Sequence, residues 1–226
     1  MFGKYKKKII MENFIKEFDL EYRNIIGHYN IEMARNTIPV SFHGSQVIEE
    51  FAMAWYHIMQ HIEKMDSKEI SFLEVGAYKG LWPLMFSKVC KRYNKIPKYT
   101  TVTLLQQDSA NHSLSNVQEF YKNNNWEFNL IDANSNLEST KNSVLEYNTN
   151  YDLVFIDADH RYEYAKKDIE LYSPLCKEIQ IFHDIKPRTM TKDVGVWQAI
   201  CDCNINLDME FSTNDLNYGL GLKFMK

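Results

Sequence analysis

The chain has 226 residues, 45% hydrophobic and 25% charged, which suits one soluble globular domain with at most a short extension. A net charge of −4 speaks against a general binder of phosphate backbones, so no nucleic-acid partner is expected. No apolar run is long enough to span a membrane, and the basic start MFGKYKKKII lacks the apolar core of a signal peptide and reads as a solvated arm.

Residues 9–27 carry a loose helical pattern (Ile10, Phe14, Phe18, Ile25, Ile26), and 28–44 read as loop with Pro39 and Gly44. Val47, Ile48, Phe51, Trp55, Ile58, Met59 and Ile62 then recur at helical spacing behind Ser45, a suitable N-cap. His57 and His61 lie one turn apart on this helix, with no third ligand in sight, and read as surface or packing residues. From residue 70 strands alternate with helices. The predicted strands are 70–75, 100–105, 127–131, 152–156 and 178–182. The predicted helices are 81–93, 109–123, 137–147, 162–171 and 194–201. The tail differs: strands 208–211 and 220–225 flank a turn-rich STNDLNYG and predict an antiparallel hairpin. The alternation predicts an α/β domain, doubly wound, with a mostly parallel sheet and helices on both faces. Two units are expected, an N-terminal helical or cap extension over 1–44 and the α/β domain over 45–226. Four cysteines (Cys90, Cys176, Cys201, Cys203) show no disulfide spacing, so buried free thiols and a cytoplasmic location are expected.

Ligands of doubly wound sheets bind beyond the carboxyl ends of the strands. Four polar clusters fall there. The first is Glu74-Val-Gly76-Ala77-Tyr78-Lys-Gly80, where glycines permit a tight turn and a helix start offers free N–H groups. It departs from G-x-G-x-x-G, which argues against a dinucleotide, and Glu74 suits an ammonium group. The second is Gln106-Gln-Asp108, which either reaches ribose hydroxyls or is a loop with Asp108 or Ser109 capping the next helix. The third is Asp132-Ala133, an adenine-amino acceptor or a simple cap. The fourth joins Asp157, Asp159 and His160 after the fourth strand to His183 and Asp184 after the fifth. Five such groups on one rim are costly unless paired or metal-bound, so they suggest a divalent cation or an imidazole base oriented by a carboxylate.

This order of motifs resembles the class I S-adenosylmethionine-dependent methyltransferases. LEVGAYKG is similar to their first motif, and FIDADH followed by FHD resembles the small-molecule O-methyltransferases related to the catechol and caffeoyl-CoA enzymes and a bacterial and phage branch with F-I-D-x-D-H. The likeness runs from about residue 40 to the end and implies a Rossmann-like, seven-stranded sheet of order 3-2-1-4-5-7-6. It implies that Glu74, Gly76, Ala77, Tyr78 and Gly80 hold the methionine part of S-adenosylmethionine. Gln106 falls at the ribose, Asp132 and Ala133 at the adenine, and Asp157 also borders the cofactor. Asp157, His183 and Asp184 fall at the metal positions (Mg²⁺ or another divalent cation), and His160 at the catalytic base, with His183 the alternative base. Three departures stand out: Gln106 replaces an acid, the metal set reads Asp-His-Asp, and the double glycine before the fifth strand is missing. The expected activity is methyl transfer to a hydroxyl of a small-molecule acceptor. The alternative is a degenerate fold that binds cofactor without turnover. Methylation of nucleic acid or protein ranks third, since no N/D-P-P-Y/F motif follows the fourth strand. Tyr78, Trp82 and Trp197 are candidates for lining an acceptor pocket, with core burial as the default. A loop over 186–193 is expected above the site, and a homodimer is left open.

Overall fold

The computed structural model describes residues 48–78, 80–105, 108–186, 195–212 and 219–226, with side chains described from Glu50 onward and not for 108–113. The N-terminal extension, the Ser45 cap, Gln106, most of the loop over 186–193 and the hairpin turn lie outside the described residues.

Among the described residues, six α-helices and seven strands follow one another. They are α1 (Ile48–Lys64), β1 (Glu69–Val75), α2 (Leu81–Arg92), β2 (Ile96–Thr103), α3 (Asp108–Asn123), β3 (Glu127–Asp132), α4 (Glu138–Tyr147), β4 (Tyr151–Ile156), α5 (Tyr162–Tyr172), β5 (Cys176–His183), α6 (Val196–Asp202), β6 (Met209–Phe211) and β7 (Leu220–Phe224). The sheet order is β3-β2-β1-β4-β5-β7-β6, as the resemblance implied. The first five strands run parallel, and β7 is antiparallel to both β5 and β6.

Alternation along the strands divides the core in two. Phe72, Tyr99, Phe155 and Ile181 face α1, α2 and α3. Leu73, Val102, Val154 and Phe182 face α4, α5 and α6. The first face is aromatic at its centre: Trp82 lies 4.1 Å from Phe155, 5.0 Å from Phe51 and 5.1 Å from Trp55, ring centre to ring centre. Such packing accounts for Trp82 without an acceptor role. At the amino ends of the strands, Asp152 Oδ2 accepts from Ser71 N at 2.6 Å and Ser71 Oγ at 2.7 Å, which pins β1 to β4.

Several boundaries differ from the sequence reading. β2 begins at Ile96, four residues earlier than expected, and runs through Pro97. Pairing with β3 starts at Lys98, so the missing proline N–H breaks no bond on that side. It ends at Thr103, which releases Leu104 from the sheet. β5 is longer at both ends, and a 3-10 turn over Ser173–Leu175 leads into it. The cysteines are free as expected, but only Cys90 and Cys176 are buried; Cys201 is exposed on α6. The α1 histidines are packing residues: His57 stacks on Phe211, and His61 Nε2 lies 2.8 Å from Glu178 Oε2. No helix of the described residues is long and apolar enough to cross a membrane.

Candidate active site

β1 and β4 are neighbours whose crossovers lead to opposite sides of the sheet, so a crevice opens where they end. Gly76 turns the chain there with φ 102°. Gly76 N donates to Val102 O and Asp157 N to Val75 O, each at 2.8 Å, so three strand ends are stitched together. A Cβ at Gly76 would lie 2.2 Å from the Asp157 carbonyl oxygen, so only glycine admits this approach. Gly80 starts α2 with φ 76°, and its missing side chain leaves room for Val117 of α3.

A cleft of about 690 Å³ lies over these ends, within the range of small-molecule sites. Gly76, Ala77 and Tyr78 form its floor. One wall is Thr103, Leu104 and residues 133–136; the other is residues 157–161, Tyr164, His183 and Asp184. Tyr78, Leu104 and Tyr164 are 45%, 48% and 39% exposed and put apolar surface in the cleft that a ligand would cover.

Asp157, His160, His183 and Asp184 each place one ligand atom within 4.8 Å of the others. His183 Nδ1 lies 2.9 Å from Asp157 Oδ1 and 3.7 Å from Asp184 Oδ2. His160 Nε2 is 3.3 Å from Asp157 Oδ1, and its Nδ1 is 3.1 Å from Asp184 Oδ2. β4 and β5 pair up to Ile156 and Phe182, which sets the two ends side by side. Asp184 takes a left-handed φ of 54°, a conformation costly for a non-glycine residue. Gly195 N donates to His160 O at 2.8 Å, so the start of α6 holds the histidine loop. The side chain of His160 is 34% exposed and that of His183 only 3%, so His160 is the imidazole open to the cleft.

Burial pushes the Asp157 carboxyl up, but the charges and hydrogen bonds of His183 and His160 outweigh this and hold it below the usual aspartate value. The hydrogen bond to Asp157 raises His160 against its burial, with Asp184 adding to the rise. Burial lowers His183, and the charge and hydrogen bond of Asp157 more than reverse it. Two carboxylates and two imidazoles form a mixed oxygen and nitrogen set, which fits a divalent ion and suits Mn²⁺ or a similar transition ion better than Mg²⁺.

The fifth predicted member stands apart. Asp159 faces Arg161, with Oδ2 2.5 Å from Nη2, and that hydrogen bond holds its carboxyl below the usual value. Its Oδ1 also accepts from Arg161 N at 3.0 Å. Glu74 is 3% exposed, lies under the glycine turn and does not line the cleft. It accepts from Tyr99 OH at 2.9 Å, and burial raises it to about 8. Asp132 accepts from Leu105 N at 3.0 Å, which ties the chain leaving β2 to the end of β3, while Ala133 lines the cleft. Trp197 is 39% exposed, with Lys186 Nζ 5.6 Å from its ring centre.

The sequence reading missed Leu104, residues 134–136 and Tyr164 on the cleft walls. It also missed Glu50 and Asp168, buried acids on apolar helix stripes. Glu50 lies beside Phe51 and Ala54, and Asp168 beside Ala165, Ile169 and Tyr172; a carboxylate on such a stripe was the available signal. Glu50 Oε2 accepts from Gly219 N at 3.1 Å and ties α1 to the start of β7.

A doubly wound sheet of this order, with a glycine turn and a walled cleft at the switch point, is the class I methyltransferase fold. A family model described as a methyltransferase domain matches residues 73–185, half of the chain, and the chain belongs to that family. No curated protein matches it. Among solved structures, the SAH-bound methyltransferase PaMTH1 of Podospora anserina superposes with a TM-score of 0.56 at 14% identity, covering 89% of this chain and 87% of that one. MycE methyltransferase of the mycinamycin biosynthetic pathway, in complex with Mg and SAH, gives 0.50 at 13% identity over 88% of this chain and 55% of that one. Geranyl diphosphate C-methyltransferase of Streptomyces coelicolor A3(2), in complex with Mg²⁺, geranyl-S-thiolodiphosphate and S-adenosyl-L-homocysteine, gives 0.50 at 8% identity over 79% of this chain and 78% of that one. At these identities the likeness concerns the fold.

Proposed function

We propose that this protein transfers a methyl group from S-adenosylmethionine to a hydroxyl of a small-molecule acceptor, assisted by a divalent cation. The carrying observation is the placement of the Asp157–His160–His183–Asp184 cluster on the rim of the cleft that begins at Gly76. Gly76, Ala77 and Tyr78 would receive the methionine part, and Leu104 with residues 133–136 the adenosine part. Bound there, S-adenosylmethionine supplies an electrophilic methyl group on its sulfonium. Asp157, His183 and Asp184 would hold the cation, which would supply a Lewis acid beside the acceptor hydroxyl.

His160 takes the hydroxyl proton, because it is the exposed imidazole of the cluster. Asp157 and Asp184 fix its ring and stabilise the charge it gains. Holding acceptor and cofactor in line supplies much of the acceleration. The acceptor enters beside His160 near Tyr164, whose partly exposed ring offers apolar contact.

Calorimetry with S-adenosylmethionine and S-adenosylhomocysteine tests the reading: binding of both is expected, and no heat with either at millimolar concentration would sink it. A panel of phenols, catechols and sugar hydroxyls then separates an enzyme from a binding module. The enzyme shows turnover that disappears in His160→Ala; the module binds cofactor and methylates nothing.

A further inference from the structure

The cleft wall formed by residues 133–136 comes after β3 and belongs to no helix or strand. It is anchored from α5, a helix that meets the cleft only through Tyr164. Asn136 Nδ2 donates to Asp168 Oδ1 at 2.7 Å and to Tyr164 O at 3.1 Å. Tyr172 OH donates to Ser135 O at 2.7 Å. Two side chains four residues apart on one helix face therefore grip two neighbouring residues of the wall. Asp168 is fully buried, and among the described residues its Oδ2 has no hydrogen-bond partner. A buried carboxyl this poorly satisfied costs stability, and an apolar residue on the same stripe would cost less. The proposed chemistry makes no use of it.

We propose that Asp168, with Tyr172, is a positioning residue that holds the 133–136 wall in the shape that binds the cofactor's adenosine part. This rests on the cofactor reading given above. At its start the wall is tied to the sheet, with Ala133 N donating to Thr103 O at 3.1 Å. Past Ala133 its own bonds are local: Asn136 N donates to Asn134 Oδ1 at 3.0 Å, and Thr140 Oγ1 to Asn134 O at 2.7 Å. They shape the turn but do not fix its distance from the floor of the cleft. The α5 anchors do, because α5 is packed into the second core through Ala165, Ile169 and Tyr172.

The test combines S-adenosylhomocysteine calorimetry with amide hydrogen exchange of the ligand-free, full-length chain, for Asp168→Ala, Asp168→Asn and Tyr172→Phe. Asp168→Ala should speed exchange across 133–137 and weaken S-adenosylhomocysteine by about tenfold or more, a loss the 1.4 kcal/mol-per-decade relation makes readily measurable. Tyr172→Phe keeps the ring in place, so it should fold normally and show the same pattern more mildly. Asp168→Asn retains an acceptor for Asn136 and should restore binding to within about threefold of wild type, a margin of under 1 kcal/mol. Unchanged exchange over 133–137 in both Asp168→Ala and Tyr172→Phe overturns the anchoring. Faster exchange with unchanged affinity overturns the link to the cofactor. Wild-type protein that takes up no S-adenosylhomocysteine overturns the cofactor reading and the assignment with it, while the exchange data still report on the anchors.

Discussion

A methyl group at Gly76 would sit 2.2 Å from the Asp157 carbonyl oxygen and 2.5 Å from the Ala158 Cα, and the backbone there has φ 102°. Neither contact involves the end of a flexible side chain, so no rotamer change relieves it. Gly76→Ala should therefore push β1 and β4 apart at the cleft floor. The expected outcome is a loss of stability of about 2–4 kcal/mol, from strain and a displaced strand end together, read from urea midpoints. Cofactor affinity should fall with it. His160→Ala makes the opposite split. The ring is partly exposed and bonded only within the cluster, so the fold should survive, and turnover should drop about 100-fold or more, the usual scale of a lost general base. Unchanged turnover in that variant would remove His160 from the chemistry.

Elements have two ends, and in this sheet the ends have separate duties. The carboxyl ends of β1, β4 and β5 carry the cleft, while Asp152 at the other end of β4 holds Ser71 of β1 and pairs with Lys177 Nζ at 3.0 Å. Asp152→Ala should cost about 2–3 kcal/mol, because hydrogen bonds to a charged acceptor are lost and a buried Ser71 is left short of partners. Its S-adenosylhomocysteine affinity should match wild type, and a large affinity loss would show that the two ends are coupled. The elements were legible to different degrees. β1 and β4 are short apolar runs next to strong turn signals, so SFLEVGAYKG and DLVFIDADH were readable as strands with polar ends. The start of β2 was hidden by Pro97, a residue that counts against a strand unless its neighbour's pairing begins later. The cluster of Asp157, His160, His183 and Asp184 was legible because adjacent parallel strands bring their polar carboxyl-terminal residues to one rim. Asp159 was grouped with it by sequence distance alone, yet Arg161, two residues on, claims its carboxylate. The Asn136–Asp168 contact joins residues 32 apart through packing of α5, and no local pattern announces its partner.

At the scale of the whole molecule, the buried titratable groups give the stability a definite pH dependence. Glu74 is raised to about 8 from 4.5, and Asp168 to about 7 from 3.8, both by burial first. The hydrogen bonds that Tyr99 gives Glu74 and Asn136 gives Asp168 lean the other way without reversing the rise. A carboxyl whose folded value is raised stays protonated in the fold while the unfolded chain ionises. Its contribution is fully present below about pH 4 and is lost as pH climbs through the folded value. His160 and His183, raised from 6.5, act in the same direction above that pH. His57, lowered by burial, opposes the carboxyls below 6.5. Below about pH 4 the sign changes, since Asp157 and Asp159 are held below 3.8 and lose their contribution as they protonate. The expected profile is a maximum near pH 4 and a decline toward pH 8, with each raised group contributing up to about 1.4 kcal/mol per pH unit. Urea midpoints at pH 5 and pH 8 check this, and Glu74→Gln isolates one contributor. The amide cannot ionise, so the difference between the two midpoints should shrink in the variant. A wild-type midpoint that rises from pH 5 to pH 8 would mean that the Glu74 and Asp168 carboxyls ionise in the fold near their ordinary values, and that the floor and the wall of the cleft are wetter than their burial implies.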